Sequence, residues 1–185
     1  MEDVIVIGGG LAGLQAAVMT AKAGEETIVL DTGESLVLST SNIQNLVGHD
    51  SVAGQELLTS GKQKVEEFGG EIVEEEVDEL VRTDSGLKIS TDESEYESKY
   101  VIIASAGDLE FIDLDVEFED GASGPYMMDR HVVTDETNKA VENVYAAGLA
   151  NSWEYQTSVA IGDGAKAAVN LLTDKYGEPY EDHDT

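Results

Sequence analysis

Apolar positions near the start of the chain predict a strand, a helix and a second strand in direct succession. Residues 4–7 are four consecutive β-branched residues, which is typical of a strand buried on both faces of a parallel sheet. Residues 11–22 are rich in alanine and leucine and predict a helix, and residues 27–30 repeat the apolar strand pattern. The sequence therefore predicts a β-α-β unit, the repeating unit of a parallel sheet.

Further short apolar runs and two more helices follow along the chain. Residues 54–68 predict an amphipathic helix that a glycine pair ends, and residues 156–176 predict a final helix with a face of small residues. The other predicted strands are residues 71–73, 77–82, 86–91, 95–99, 100–104, 130–134 and 144–146. The three between residues 77 and 99 alternate as an antiparallel β-meander.

These elements together predict an α/β fold that forms one compact domain over residues 1–176. We expect a Rossmann-like central parallel sheet with flanking helices on both sides and the β-meander packed on one face. Residues 32–53 are polar and irregular, and a loop of that length suggests a binding segment. Residues 177–185 form a tail, in which residues 177–179 stop the last helix and the charged residues 180–185 are expected to be frayed.

Glycines follow the first strand at the spacing of a dinucleotide-binding loop. Gly8, Gly10 and Gly13 form a G-x-G-x-x-G motif between a predicted strand and a predicted helix. They permit a tight turn, close approach to a pyrophosphate, and close packing of helix on strand. Asp31 ends the second strand, where a carboxylate accepts hydrogen bonds from ribose hydroxyls and repels a 2′-phosphate. The motif predicts an adenine dinucleotide and leaves FAD and NAD as alternatives.

The composition is strongly acidic, with 10 Lys and Arg against 39 Asp and Glu and a formal net charge of −29. Such a surface repels nucleic acid and anionic membranes, so we expect neither as a partner. The acidic residues are scattered and lack metal-ligand spacing. We therefore interpret them as a halophilic adaptation, with a site for cations or a basic partner as the alternative.

The chain contains no cysteine, which excludes disulfides, thiolate metal sites and dithiol relays within it. Its apolar N-terminal run follows acidic residues, unlike a signal peptide, and no apolar run is long enough to span a membrane. From the sequence we expect a cytoplasmic protein.

Two blocks of the chain resemble the FAD domain of the low-molecular-weight thioredoxin reductases, within the two-dinucleotide-binding flavoproteins. Residues 1–107 carry the glycine loop, the acidic ribose residue, an Asn-containing loop, a helix and a meander in the order of that family. Residues 124–176 contain the sequence NVYAAG at 143–148 and a Tyr-Gln pair that opens the last helix. This closing block is specific to the family, so the resemblance favours FAD over NAD.

The resemblance also implies roles for individual residues. The glycine loop would hold the pyrophosphate, and the backbone of Val77 would meet the adenine. Loop positions 40 and 45 would lie beside the isoalloxazine, and the last helix would direct its N-terminus at the flavin pyrimidine ring. The cofactor-binding residues that we predict are Gly8, Gly10, Leu11, Ala12, Gly13, Asp31, Thr40, Asn45, Val77, Ala104, Gly148, Gln156 and Thr157.

The chain departs from the family at three places. Residues 108–123 stand where the family inserts an NADPH-binding domain, and they are too few for a domain. The catalytic cysteine pair belongs to that inserted domain and is missing here. Leu149 replaces the aspartate of an Ala-Gly-Asp sequence that would bind the ribityl chain. We therefore expect FAD binding without thioredoxin reduction.

The sequence thus predicts an FAD-binding, oxidoreductase-like flavoprotein that uses an external electron donor and acceptor. The donor or acceptor would be free NAD(P)H or a redox partner protein. A non-catalytic flavin- or nucleotide-binding protein with a regulatory or scaffolding role is the first alternative, and an NAD-binding protein is the second. The resemblance adds a homodimer as an expectation. His49 and His131 are candidate bases, and neither has a sequence context that assigns it a catalytic role.

Overall fold

A computed structural model describes residues 1–121 and 128–182. Its helices are α1 (Leu11–Lys22), α2 (Gly54–Glu67) and α3 (Thr157–Tyr176). Its strands are β1 (Glu2–Ile7), β2 (Thr27–Leu30), β3 (Glu71–Val73), β4 (Val77–Arg82), β5 (Leu87–Thr91), β6 (Glu95–Ile103), β7 (Ile112–Asp113), β8 (Phe118–Asp120), β9 (Arg130–Val132), β10 (Lys139–Val141) and β11 (Val144–Ala146). The predicted start of the second block, residue 124, lies outside the described residues.

Five parallel strands form the centre of the sheet, in the order β3-β2-β1-β6-β11. Ile5 in β1 pairs with Ile28 on one side and with Val101 on the other. Val144 pairs with Val101, so the last parallel strand joins the sheet beside β6. The chain runs from β1 toward β3 on one side and then returns to the other side of β1, which makes the loops after β1 and β6 the topological switch point of the sheet.

A single nine-residue strand, β6, replaces the two strands predicted at 95–99 and 100–104. Its first half pairs with β5 in the antiparallel meander, with Leu87 opposite Ser98. Its second half pairs with β11, while β1 pairs along the other edge. The alternation of polar and apolar positions ends within this strand because its second half enters the buried centre. The change in pattern marks a change of surroundings and does not mark a break in the strand.

The two faces of the parallel sheet are covered by different elements. Val4 and Val6 face a buried cluster that includes Leu14 of α1, Leu58 of α2 and Ala167 of α3. All three helices therefore lie on one face, and the prediction of helices on both sides was wrong. The β1 side chains on the opposite face of the sheet contact the meander.

Ile5 and Ile7 belong to a second buried cluster, which contains Leu80 of β4 and Ile89 of β5. The meander therefore covers one face of the sheet, as predicted, and it is the face opposite the helices. A strand with apolar residues on both faces is fully buried, and its pattern cannot tell which kind of element covers each face.

The segment after β6 contains two short strands that the sequence did not predict. Ile112 in β7 pairs with Leu80 in parallel, which adds β7 to the outer edge of the meander. Glu119 in β8 lies opposite His131 in β9, which ends at Val132, two residues before the predicted end. Another unpredicted strand, β10, pairs with β11.

The described part of the C-terminal tail packs on the protein, against the prediction that it is frayed. Tyr180 donates its backbone N–H to Thr173 Oγ1 at 3.1 Å, and its ring lies 6.1 Å from that of Tyr176. Lys22 and Asp182 form an ion pair at 2.9 Å. Within residues 1–121 and 128–182, no helix is both long and apolar enough to cross a bilayer.

Candidate functional site

The glycine loop lies at the switch point of the sheet, directly after β1. Gly8 has a φ of +104°, and a methyl group there would lie 2.7 Å from the Ala104 carbonyl oxygen at the end of β6. A methyl group at Gly13 would lie 1.8 Å from the Gly8 carbonyl oxygen. Both positions therefore require glycine: the first for its backbone conformation and the space available, the second for the space alone. This loop brings together three of the predicted residues, Gly8, Gly13 and Ala104.

The N-termini of α1 and α3 lack the side chains that usually cap a helix start. Gly10 precedes α1 and Gln156 precedes α3, and among the described residues no side chain caps either end. Neither first turn contains an acidic residue. The N–H groups of these turns have no intrahelical acceptor, and the helix dipole adds positive potential. Leu11 and Ala12 lie in the first turn of α1, and Thr157 opens α3.

Asp31 ends β2 next to the glycine loop and is 7% exposed. Its Oδ1 accepts the Gly9 N–H at 3.0 Å, and its Oδ2 accepts a hydrogen bond from Lys62 Nζ at 2.9 Å. A methyl group at Gly9 would lie 2.4 Å from the carboxylate carbon, so only glycine permits this contact. Asp31 is thereby tied to both the loop and α2.

A cavity of about 180 Å³ opens beside this carboxylate. It lies between the glycine loop, the segment after β2 and one face of α2, and Leu58 provides its most buried apolar wall. Its lining residues are Gly9, Asp31, Gly33, Ser35, Leu38, Gln55, Leu58, Thr59 and Lys62. The cavity offers one carboxylate, one ammonium and several hydroxyl and amide groups to a ligand.

The loop after β2 meets the start of α3 through side chains that the sequence singled out. Asn45 Nδ2 donates to Gln156 Oε1 at 3.0 Å across 111 residues of sequence. Thr40 is exposed, and its carbonyl accepts the Gly54 N–H at 2.8 Å, which holds the start of α2. The start of α3 therefore lies against the loop after β2, which brings the predicted residues Asn45 and Gln156 together.

Gly148 is held by a carboxylate that the sequence reasoning missed. Its N–H donates to Asp163 Oδ2 at 2.7 Å, and Asp163 Oδ1 accepts from Asn138 Nδ2 at 2.7 Å. Gly148 has a φ of +66°, and a methyl group there would lie 2.8 Å from Ala12 Cβ. Asp163 thus fixes the turn that leads into α3 against the start of α1. The only sequence signal was its place between two glycines of the predicted helix.

Four other residues named in the sequence analysis have less direct relations to this site. The side chain of Val77 is 9% exposed and belongs to the second cluster, so it packs in the core. Leu149 packs against the same cluster, and its carbonyl oxygen lies 2.9 Å from Nδ1 of the buried His131. The side chain that replaces the family's aspartate therefore turns toward apolar surroundings. His49 is exposed. In the part of the chain that the structure describes, no cluster of side chains suits a metal ion.

The amino-acid sequence of this chain is similar to those of thioredoxin reductases. The enzyme of Treponema pallidum (strain Nichols) is 30% identical over 145 residues, which is 71% of this chain and 47% of that protein. The enzyme of Ureaplasma parvum is 31% identical over 162 residues, which is 80% of this chain and 52% of that protein. The chain thus spans about half the length of these relatives.

Solved structures share the fold at lower identity. A thioredoxin reductase from Gloeobacter violaceus superposes with a TM-score of 0.81 at 16% identity, over 100% of this chain and 98% of that chain. The enzyme of T. acidophilum gives a TM-score of 0.76 at 18% identity, over 95% of this chain and 99% of that chain. The sequence profile of the pyridine nucleotide-disulphide oxidoreductases matches residues 2–122, which is more than half of the 185 residues. The chain therefore belongs to the pyridine nucleotide-disulphide oxidoreductase family.

Proposed function

We propose that this chain binds FAD non-covalently and acts as a flavoprotein whose electron donor and acceptor come from outside the chain. The arrangement of Asp31 beside the glycine loop carries this proposal, because it joins a ribose-binding carboxylate to a phosphate-binding turn. The Asn45–Gln156 contact supports a second binding region for the flavin end. Membership of a family of pyridine nucleotide-disulphide oxidoreductases supports the oxidoreductase class.

The residues present fit such a dinucleotide. The uncapped N-terminus of α1 would bind the pyrophosphate, and the carboxylate of Asp31 would accept hydrogen bonds from the adenosine ribose. The uncapped N-terminus of α3, after Gln156, would stabilise negative charge at the flavin end. FAD, when bound, supplies the electron-transfer chemistry, and the protein supplies binding, orientation and electrostatics.

We further propose that residues 1–176 act as one FAD-binding unit in which a short connector takes the place of an NADPH-binding domain. Residues 108–121 contain only the strands β7 and β8. The chain also lacks cysteine, so dithiol chemistry is not its own. Reduced nicotinamide would therefore arrive either free or on a partner protein. The second candidate is a protein that binds the nucleotide without turnover. The short connector in place of an NADPH-binding domain and the lack of cysteine favour this candidate.

Binding of FAD against FMN tests the proposal. The protein, purified in molar KCl, should take up FAD and not FMN, because the Asp31 contacts serve the adenosine half. Asp31→Asn should weaken FAD binding by about 1–3 kcal/mol, the usual cost of a lost hydrogen bond to a charged group. Asp92→Asn, at an exposed turn, removes the same charge and should leave the affinity unchanged. Equal uptake of FMN, or no uptake of FAD, would overturn the proposal.

Anaerobic stopped-flow mixing separates the flavoprotein reductase from the binding protein. In the absence of a domain that orients nicotinamide, NADH and NADPH should bleach the bound flavin slowly and without saturation, because orientation can supply about 7–11 kcal/mol of a barrier. Dithionite should reduce the flavin readily. Fast, saturable bleaching would show a nicotinamide site within the chain. Failure with both nicotinamides and with every redox partner tested would favour the binding protein.

A further inference from the structure

Lys62 is the one side-chain cation among the described residues that line the cavity beside the glycine loop. It lies on α2, on the same face as Gln55 and Thr59, which also line this cavity. Its Nζ is 2.9 Å from Asp31 Oδ2, and its side chain is 38% exposed, against 9% for Asp31. The ammonium-bearing side chain is therefore more accessible to solvent than the carboxylate that it contacts.

The pair changes what the cavity can recognise. A carboxylate alone only accepts hydrogen bonds, and it repels a phosphate on the neighbouring ribose hydroxyl. An ammonium carries three N–H donors, of which Lys62 directs one at Asp31. The other two can donate to a ligand oxygen. Asp31 and Lys62 together also bear no net charge, so the electrostatic penalty against a second anion is largely removed.

We propose that Lys62 determines specificity at the adenosine end of the site, by allowing it to accept adenine nucleotides whose ribose carries a 2′-phosphate. The proposal rests on the proposed function, since it places adenosine in the cavity beside Asp31. It differs from the expectation drawn from Asp31 alone, which is exclusion of such nucleotides. Nucleotides with a 2′-phosphate would then compete with FAD for the same site.

Calorimetric titration with two matched probes tests this proposal. The probes are ADP-ribose and 2′-phospho-ADP-ribose, which differ only in the phosphate. For the unaltered protein, the two dissociation constants should agree within about tenfold. Lys62→Gln should raise the ratio of the 2′-phospho constant to the ADP-ribose constant by about tenfold or more, the effect of losing one charge-assisted contact. Lys62→Arg keeps the charge and should keep the ratio.

Two further variants serve as comparisons for Lys62→Gln. Lys64→Gln removes the same charge from the same helix, at a lysine whose Nζ lies 5.9 Å from the Phe68 ring centroid, and should leave the ratio unchanged. Asp31→Asn leaves Lys62 without its carboxylate and should lower the ratio by about tenfold, opposite in direction to Lys62→Gln. Lys62→Met, which also removes the ammonium and should raise the ratio like Lys62→Gln, keeps the test valid if Lys62→Gln does not fold.

The outcomes are distinguishable from those of the FAD experiment. A ratio that Lys62→Gln leaves unchanged would overturn the role of Lys62 even if FAD binds tightly. Failure of the unaltered protein to bind either probe would also overturn it, because the cavity would then not hold adenosine. Failure to bind FAD with normal binding of both probes would instead count against the proposed function alone.

Discussion

Among single residues, Asp3 has one of the clearest electrostatic roles. Its Oδ1 accepts from Lys99 Nζ at 2.7 Å and lies 3.1 Å from Lys175 Nζ, which also pairs with the buried Glu25. The hydrogen bond from Lys99, followed by the contact with Lys175, lowers the pKa of Asp3 from 3.8 to about 2. The carboxylate ties together the start of β1, the middle of β6 and the end of α3.

The lowered pKa predicts how stability depends on pH. A carboxylate whose pKa is lower in the folded state stabilises the protein above its unfolded-state pKa, and this contribution is lost as the pH falls. Asp3→Asn should therefore lower the free energy of unfolding by about 2 kcal/mol at pH 7, and the difference should disappear between about pH 4 and pH 2. Urea denaturation across this range measures it. Asp78→Asn, at an exposed position of β4, is the matched control, and an equal pH dependence in both variants would contradict the prediction.

Residue-level prediction from the sequence succeeded in identifying local motifs and failed at contacts between distant segments. Gly8 and Gly13 lie where the motif predicts, because their spacing fixes a turn and a helix start. Lys62 and Asp163 were missed. Lys62 contacts Asp31, 31 positions away, and Asp163 contacts Gly148, 15 positions away. The periodicity of the sequence identifies neither partner. The roles of the predicted cofactor residues stay predictions until a ligand is measured.

Among the elements, the packing of α3 on α1 depends on one glycine. A methyl group at Gly164 would lie 2.0 Å from the backbone oxygen of Ala12, so the helices approach until their backbones are in contact. Gly162, one half-turn earlier on α3, faces open space. The two glycines of this helix therefore have different functions, although the sequence presented them as one face of small residues.

This difference predicts opposite effects of the same substitution. Gly164→Ala should lower the free energy of unfolding by about 1–3 kcal/mol, the usual cost of overpacking, because the obstructing atom is backbone. Gly162→Ala should raise it by up to about 1 kcal/mol, because alanine favours the helix. Denaturant unfolding of the two variants measures both. Equal effects would show that α1 and α3 are not in backbone contact at Gly164.

The sequence predicted which helices and strands form better than it predicted how they pack together. The bounds of α1, β2, β3 and β11 match the predicted ones, because each is an uninterrupted pattern between glycines or polar turns. The division of β6 into two strands was wrong, because the change in its pattern reflects a change of neighbours. The prediction of helices on both faces of the sheet was also wrong. The apolar residues on both faces of β1 could not show that the meander, rather than a helix, covers one of them.

For the whole molecule, the net charge of −29 predicts a strong dependence on salt. Repulsion between like charges extends over about 30 Å at 0.01 M salt and about 3 Å at 1 M. The melting temperature should therefore rise by about 5–10 °C between low salt and 2 M KCl, which corresponds to about 2–4 kcal/mol for a chain of this size. Scanning calorimetry measures it, with sucrose as the uncharged control. A melting temperature that does not change with KCl would contradict the halophilic interpretation.

The insertion of β11 beside β6 and the packing of α3 on α1 also determine the order in which a newly made chain can fold. While the ribosome is still synthesising the segment after residue 107, the helix-covered face of the sheet lacks α3, and β6 lacks its neighbour over residues 101–103. Contacts between such distant segments form late, because the whole intervening chain must first be available. Until then Asn45 also lacks Gln156 as its acceptor. The nascent protein would thus bring all parts of the candidate site together only after α3 has been released.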